Sequence, residues 1–192
     1  DATQLLYNDG LEAAKQGAWD KAYEAFSAAW RVRQHPQIAL NLGRAALKTA
    51  RYAEAAERLT FFLRHTKDDV AGQDRALIQQ LLAEARQRVV TLLVRVNRPG
   101  AEVLVDDQVV GQAPLEQEIF VDPGAHTVSA RLGAERAEAV EVDLQAGASR
   151  QIGLMFGGEE STVEEEPPAE APKKSASLDL FGDPDPTWLA VG

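Results

Sequence analysis

Two stretches in the first third of the chain are copies of one another at a constant offset, and this restricts the fold more than any other feature. Gly10, Gly17, Trp19, Ala22 and Phe26 line up with Gly43, Ala50, Tyr52, Ala55 and Leu59. Asn8 and Asn41 keep the same offset, as do Lys15 and Lys48. A fixed period of a few tens of residues, carrying two helices per period, marks a stack of helical hairpins. Apolar residues recur at helical spacing from Gln4 to Val89, in a background of Ala, Leu, Arg, Gln and Glu. Breaks fall at Gly17-Ala18, His35-Pro36, Ala50-Arg51 and Lys67-Asp68-Asp69. The pattern predicts helices over 4–16, 19–33, 37–49, 52–65 and 74–89. Pro36 stands where a helix starts, at a position whose N–H has no helical partner in any case.

The small residues have a physical task in such a stack. Gly10 and Gly43 let the first helix of a pair approach its neighbour, and Ala22 and Ala55 thin the second helix at the crossing. Trp19, Phe26 and Tyr52 fill the space between pairs. The segments Leu6-Tyr7-Asn8-Asp9-Gly10, Leu40-Asn41-Leu42-Gly43 and Gly17-Ala18-Trp19-Asp20-Lys21-Ala22 resemble the tetratricopeptide repeat family. Two departures stand out: Ala50 replaces the usual turn glycine, and Phe62 sits where a small residue is usual. The resemblance implies a concave face, built from the first helix of each pair, that binds a protein or peptide. Asn8, Lys15, Asn41, Arg44 and Lys48 map to that face. Their plainer reading is as repeat consensus and solvated helix surface.

At about Val89 the period changes from helical to alternating. Leu92, Val94 and Val96 form one such run, Val140, Val142 and Leu144 another, and Ile152, Leu154 and Phe156 a third. Alternation of this kind arises when one face of a strand is buried and the other is wet. Turn residues punctuate it at Arg98-Pro99-Gly100, Asp106-Asp107, Asp122-Pro123-Gly124 and Ala146-Gly147. The segment is expected to form six or seven short strands in a small antiparallel sandwich. The stretch Val94 to Asp106, then Val110-Gly111-Gln112-Ala113-Pro114-Leu115, then Val121 to Val128, is similar to a PEGA domain. Asp107 departs from that family, where glycine is common, so a looser hairpin is expected there. The resemblance implies a bacterial cell-envelope setting and no catalysis.

The expected organisation is therefore α+β in two domains: a helical repeat over 1–88, a β domain over 89–156, and an acidic Pro/Glu-rich disordered linker over 157–192. Charge divides along the same lines. Residues 1–88 carry a net +2, residues 89–156 a net −5 and residues 157–192 a net −7. A chain of net charge −10 with no basic stripe is a poor match to nucleic acid. The linker ends in Pro186-Thr187-Trp188-Leu189-Ala190-Val191-Gly192, and a tryptophan opening an apolar run is typical of a membrane interface. The expectation is a membrane tether beyond residue 192, against the alternative of a terminus with a few apolar residues. A start at Asp1 rather than Met fits removal of a secretory signal, and hence a periplasmic location, but also a cut boundary.

Chemistry is hard to find. There is no cysteine, which excludes disulfides, thiol nucleophiles and cysteine-based zinc sites. His35, His65 and His126 are far apart, none at metal-ligand spacing from a carboxylate or another histidine. Glu116 and Glu118 are expected on one face of a strand. No phosphate-cradling loop or nucleophile elbow is present. No cofactor, metal or catalytic residue is expected. The residues point to a non-catalytic protein-interaction scaffold of the cell envelope. The alternative is a glycan- or surface-polysaccharide-binding module that uses the β domain. The β domain holds only Phe120 and Phe156 as aromatic rings, few for a sugar platform.

Overall fold

The computed structural model describes residues 2–66, 72–157 and 162–166. Among these residues it is an α+β fold of five helices and two β-sheets. The described residues fall into two compact units, the first ending at Ala83 and the second beginning at Glu84.

The helices are α1 (Ala2–Lys15), α2 (Trp19–Val32), α3 (Pro36–Lys48), α4 (Tyr52–His65) and α5 (Gly72–Arg86). Consecutive helices from α1 to α4 pack on one another. The ends of α1 and α3 are built alike. At the first, Ala18 N–H donates to Ala13 O (2.9 Å) and Gly17 N–H to Ala14 O (3.0 Å). At the second, Arg51 N–H donates to Ala46 O (2.8 Å) and Ala50 N–H to Leu47 O (3.2 Å). Each pair of bonds satisfies carbonyls that a helix end leaves open, and each needs a left-handed residue at the stop. Gly17 supplies it at φ +71°, and Ala50 adopts it at φ 59° in spite of its Cβ. At the start of α3, Pro36 occupies the first turn and His35 caps it, accepting from Gln37 N–H at 3.2 Å. Burial, aided by the charge of Arg33, lowers the His35 pKa and keeps that lone pair available.

The glycines do what the repeat asks of them. A Cβ on Gly10 would lie 2.5 Å from the Phe26 ring, and one on Gly43 would lie 3.0 Å from Leu59 Cγ. Phe26 and Leu59 are themselves repeat equivalents, and both are fully buried. Phe26 shares one core with Tyr7, Ala22, Ala29, Trp30, Ile38 and Leu42. Phe62, unusual for its position, is accepted into the interior. Arg75 of α5 donates to Leu63 O (2.9 Å) and Thr66 O (3.3 Å), closing the carbonyl end of α4.

Among the described residues the second unit has nine strands: β1 (Val90–Val96), β2 (Glu102–Val105), β3 (Gln108–Gln112), β4 (Ile119–Val121), β5 (Gly124–Leu132), β6 (Glu135–Arg136), β7 (Val140–Leu144), β8 (Ser149–Leu154) and β9 (Thr162–Glu166). One sheet runs β4-β1-β8-β9; the other runs β3-β2-β5-β6, with β7 also paired to β5. Val90, Leu92, Ile152 and Leu154 of the first sheet share one buried cluster with Val103, Val128, Val140 and Val142 of the second. The alternation of Val140, Val142 and Leu144 against exposed Glu141 and Asp143 follows directly.

The expectation of purely antiparallel sheets is corrected at one place. β1 and β8 are parallel, from Thr91 opposite Ser149 to Val96 opposite Leu154. Parallel neighbours cannot be joined by a tight turn, and the intervening chain spends its length building the second sheet. Asn97 fastens the end of this ladder: its Nδ2 donates to Phe156 O (3.1 Å) and its Oδ1 accepts from Phe156 N–H (2.9 Å). A second difference lies at β9, within the segment whose composition reads as linker. It pairs antiparallel with β8, yet Thr162, Val163 and Glu164 are all exposed. The strand is held by its backbone ladder, which leaves no mark on the pattern of apolar residues. Glu116 and Glu118 fall before β4 rather than within a strand, and Glu118 pairs with Arg86.

Candidate protein-interaction surface

The five residues expected on one face divide into different roles. Asn41 is buried, and its Nδ2 donates to Tyr7 Oη at 2.6 Å. Burial pushes the Tyr7 hydroxyl up to about 12, opposed by hydrogen bonds from Gln37 and Asn41 and by the charge of Arg44. Tyr7 therefore stays neutral at any physiological pH and ties α1 to α3 from within. Asn41 is part of that tie. Asn8, its equivalent in the first pair, is exposed.

Arg44 is half-buried and close enough for its charge to act on Tyr7. Lys48 follows one turn later on the same helix, so the two cations share a face. Lys48 is exposed, with Nζ 5.8 Å from the centroid of the Trp19 ring. Lys15 is exposed at the end of α1. On α3 the half-buried Arg44 thus lies within electrostatic reach of the buried Tyr7, and the exposed Lys48 ammonium lies by the Trp19 ring. Tyr7 and Trp19, expected as packing and motif residues, belong to this neighbourhood, and so does Gln37, which the sequence did not single out. Tyr7 carries no repeat signal, since its counterpart in the second copy is Leu40.

On the α2–α4 side, polar groups are spent on one another. Tyr23 Oη donates to Glu54 Oε2 at 2.6 Å, and Arg51 lies over the Tyr23 ring at 4.1 Å. Arg58 lies over Trp30 at 4.7 Å and pairs with Glu54 at 3.6 Å. Trp30 in turn meets Phe61 edge-on at 4.9 Å. Burial, together with the Glu54 hydrogen bond, raises the Tyr23 pKa and keeps its proton in place. These contacts fasten the second helix of one pair to the second helix of the next.

In the β unit, Phe120 and Phe156 are both buried, so neither ring is presented for stacking on a sugar. His126, expected to stand apart from carboxylates, meets Asp106, which is distant in sequence: Nδ1 lies 2.6 Å from Oδ2. The pairing arises because β2 and β5 are neighbours. Spacing along the chain could not have shown it. Among the described residues no three His, Asp or Glu side chains converge as a metal site would require. The expected linker over 157–192 lies, apart from Gly157 and β9, outside the described residues, and so does the apolar run after Pro186. Among the described residues no helix is long and apolar enough to cross a membrane. Compared with known proteins, the chain matches no protein-family model, no curated protein and no solved structure.

Proposed function

We propose that this chain is a non-catalytic interaction scaffold of the bacterial cell envelope, in which a tetratricopeptide-like helical array binds a protein or peptide through the α1–α3 face. A PEGA-like β-sandwich serves as spacer or second contact. The observation that carries the reading is the repeated contact of glycine with a buried side chain, Gly10 with Phe26 and Gly43 with Leu59, at one and the same offset. Two pairs joined in this way, with matching left-handed stops at Gly17 and Ala50, are what a stack of like hairpins requires. The extracytoplasmic setting rests on the PEGA resemblance of Val94–Asp106, Val110–Leu115 and Val121–Val128. The glycan-binding alternative loses support from the burial of both aromatic rings in the β unit.

Because Asn41 is structural, the binding role falls to Arg44 and Lys48, with Lys15 at the edge. The test is capture of partners from an envelope extract by immobilised wild-type chain and by Arg44→Glu/Lys48→Glu, with purified peptidoglycan as a parallel bait. The expected result is loss of a protein partner by the double variant, with its helical circular dichroism unchanged. Equal capture by both chains would remove this face from the account, and retention by bare glycan would favour the alternative.

A further inference from the structure

The turn between β2 and β3 is made by Asp106 and Asp107, both left-handed, at φ 48° and 64°. A two-residue hairpin needs that geometry, and aspartate accepts it less readily than glycine. Here the turn is held from outside. Asp106 N–H donates to Thr127 O (2.9 Å), and Asp106 Oδ1 accepts from Thr127 N–H (2.9 Å). Asp106 Oδ2 meets His126 Nδ1 at 2.6 Å, and the other ring nitrogen, Nε2, meets Asp122 O at 2.7 Å. The imidazole thus bridges the β2–β3 turn and the corner between β4 and β5.

Both partners of the ring are acceptors. A neutral imidazole has one N–H and one lone pair, so it would turn that lone pair against an oxygen at one of the two contacts. Only the imidazolium donates to both. The charges acting on His126 are those of Asp106 and Asp122. Its partner across the ladder on β7 is the apolar Val142, and the carboxylates of Glu141 and Asp143 alternate to the opposite face of the sheet. Asp107, the other charged residue of the turn, is exposed.

We propose that His126 is a proton-operated latch: as an imidazolium it ties the β2–β3 turn to the β4–β5 corner, and its deprotonation breaks that tie and leaves the turn held by Thr127 alone. What it steadies borders a sheet edge. Among the described residues β3 is hydrogen-bonded to β2 alone, and the register shift in that pairing leaves Val109 and Val110 exposed side by side.

The direction in pH follows from the two partners. Burial works against a charge on His126, but the Asp106 hydrogen bond and the Asp122 carbonyl outweigh it and raise its pKa. The latch is therefore whole below the free-histidine value of about 6.5 and is lost as pH rises through the higher folded value. Asp106 is shifted down, first by the Thr127 N–H and then by His126. Its share is present above the free-aspartate value of about 3.9 and is lost only as pH falls through the lower folded value. Between these limits the hairpin is clamped.

The test is an NMR titration of the whole chain, following the three histidine rings and the β2–β3 amides. His126 is expected to titrate above the free-histidine value and above His35, with both ring nitrogens protonated below its midpoint. Exchange of the Asp107 and Gln108 amides, taken relative to His126→Gln at each pH, is expected to be slowed at low pH and to reach that of the variant at high pH. Asp106→Asn, which tolerates the left-handed turn, is expected to lower the His126 midpoint and gives a second readout should His126→Gln fold poorly. A midpoint at or below the free value, or a wild-type to variant exchange ratio that does not change with pH, would overturn the latch.

Discussion

The two helix pairs carry the same residues at many of the same positions, yet their surroundings differ. Ile38 is fully buried while Leu5, its counterpart in the first copy, is 66% exposed. Asn41 is buried on Tyr7 while Asn8 is exposed. The cause is order in the stack: α3 packs on both α2 and α4, so positions that α1 leaves open are covered in the second pair. Register is therefore repeated and environment is not. A repeat motif tells which residues can serve a contact; the neighbour decides which of them do.

The largest test of that difference is truncation at the first of these positions. Ile38→Ala should cost about 2–5 kcal/mol, the range for emptying a buried aliphatic site. Leu5→Ala should stay within about 0.5 kcal/mol of wild type. Urea unfolding followed by helical circular dichroism measures both, and equal losses would mean that the two sites are alike. Asn41→Ala comes next, at about 1–2 kcal/mol, since it strips a partner from the buried Tyr7 hydroxyl while Gln37 remains. Asn8→Ala should be near neutral, because alanine is the better helix former and the site is wet. The smallest pair concerns the two stops. Ala50→Gly should stabilise by about 0.5–1 kcal/mol by relieving a left-handed alanine, and Gly17→Ala should destabilise by about the same amount. Thermal shifts of opposite sign are the expected outcome; shifts of one sign would show that the two stops are not equivalent.

Much of the helical unit was legible because amphipathic spacing, Pro36 and the constant offset between the copies all act within a few turns of chain. Helices expected over 19–33 and 52–65 are found at Trp19–Val32 and Tyr52–His65. The β unit was legible in its alternation but not in its pairing. Nothing in the run Leu92, Val94, Val96 says that its neighbour will be the distant Ile152 and Leu154, or that the two run parallel. β9 was invisible because its exposed residues bury nothing that a hydrophobic pattern could register. The proposed interaction face was legible as a set of positions only. Lys15 and Lys48 remain on the surface, but the inward turn of Asn41 depends on Tyr7, which lies outside the repeated pattern. The His126–Asp106 contact likewise needs strand order before it can be seen.

The central claim is that the two pairs are copies of one packing unit, with glycine on the first helix seated against a buried side chain of the second. A double-mutant cycle addresses it directly. Gly10→Ala should cost about 2 kcal/mol in the wild-type chain, where its Cβ meets the rigid Phe26 ring at 2.5 Å. In a Phe26→Leu background, which gives the first pair the residue that the second already has, the same change should cost about 1–2 kcal/mol less and approach the cost of Gly43→Ala. An unchanged cost of Gly10→Ala in the two backgrounds would contradict the equivalence, and with it the stacked-repeat basis of the proposed scaffold.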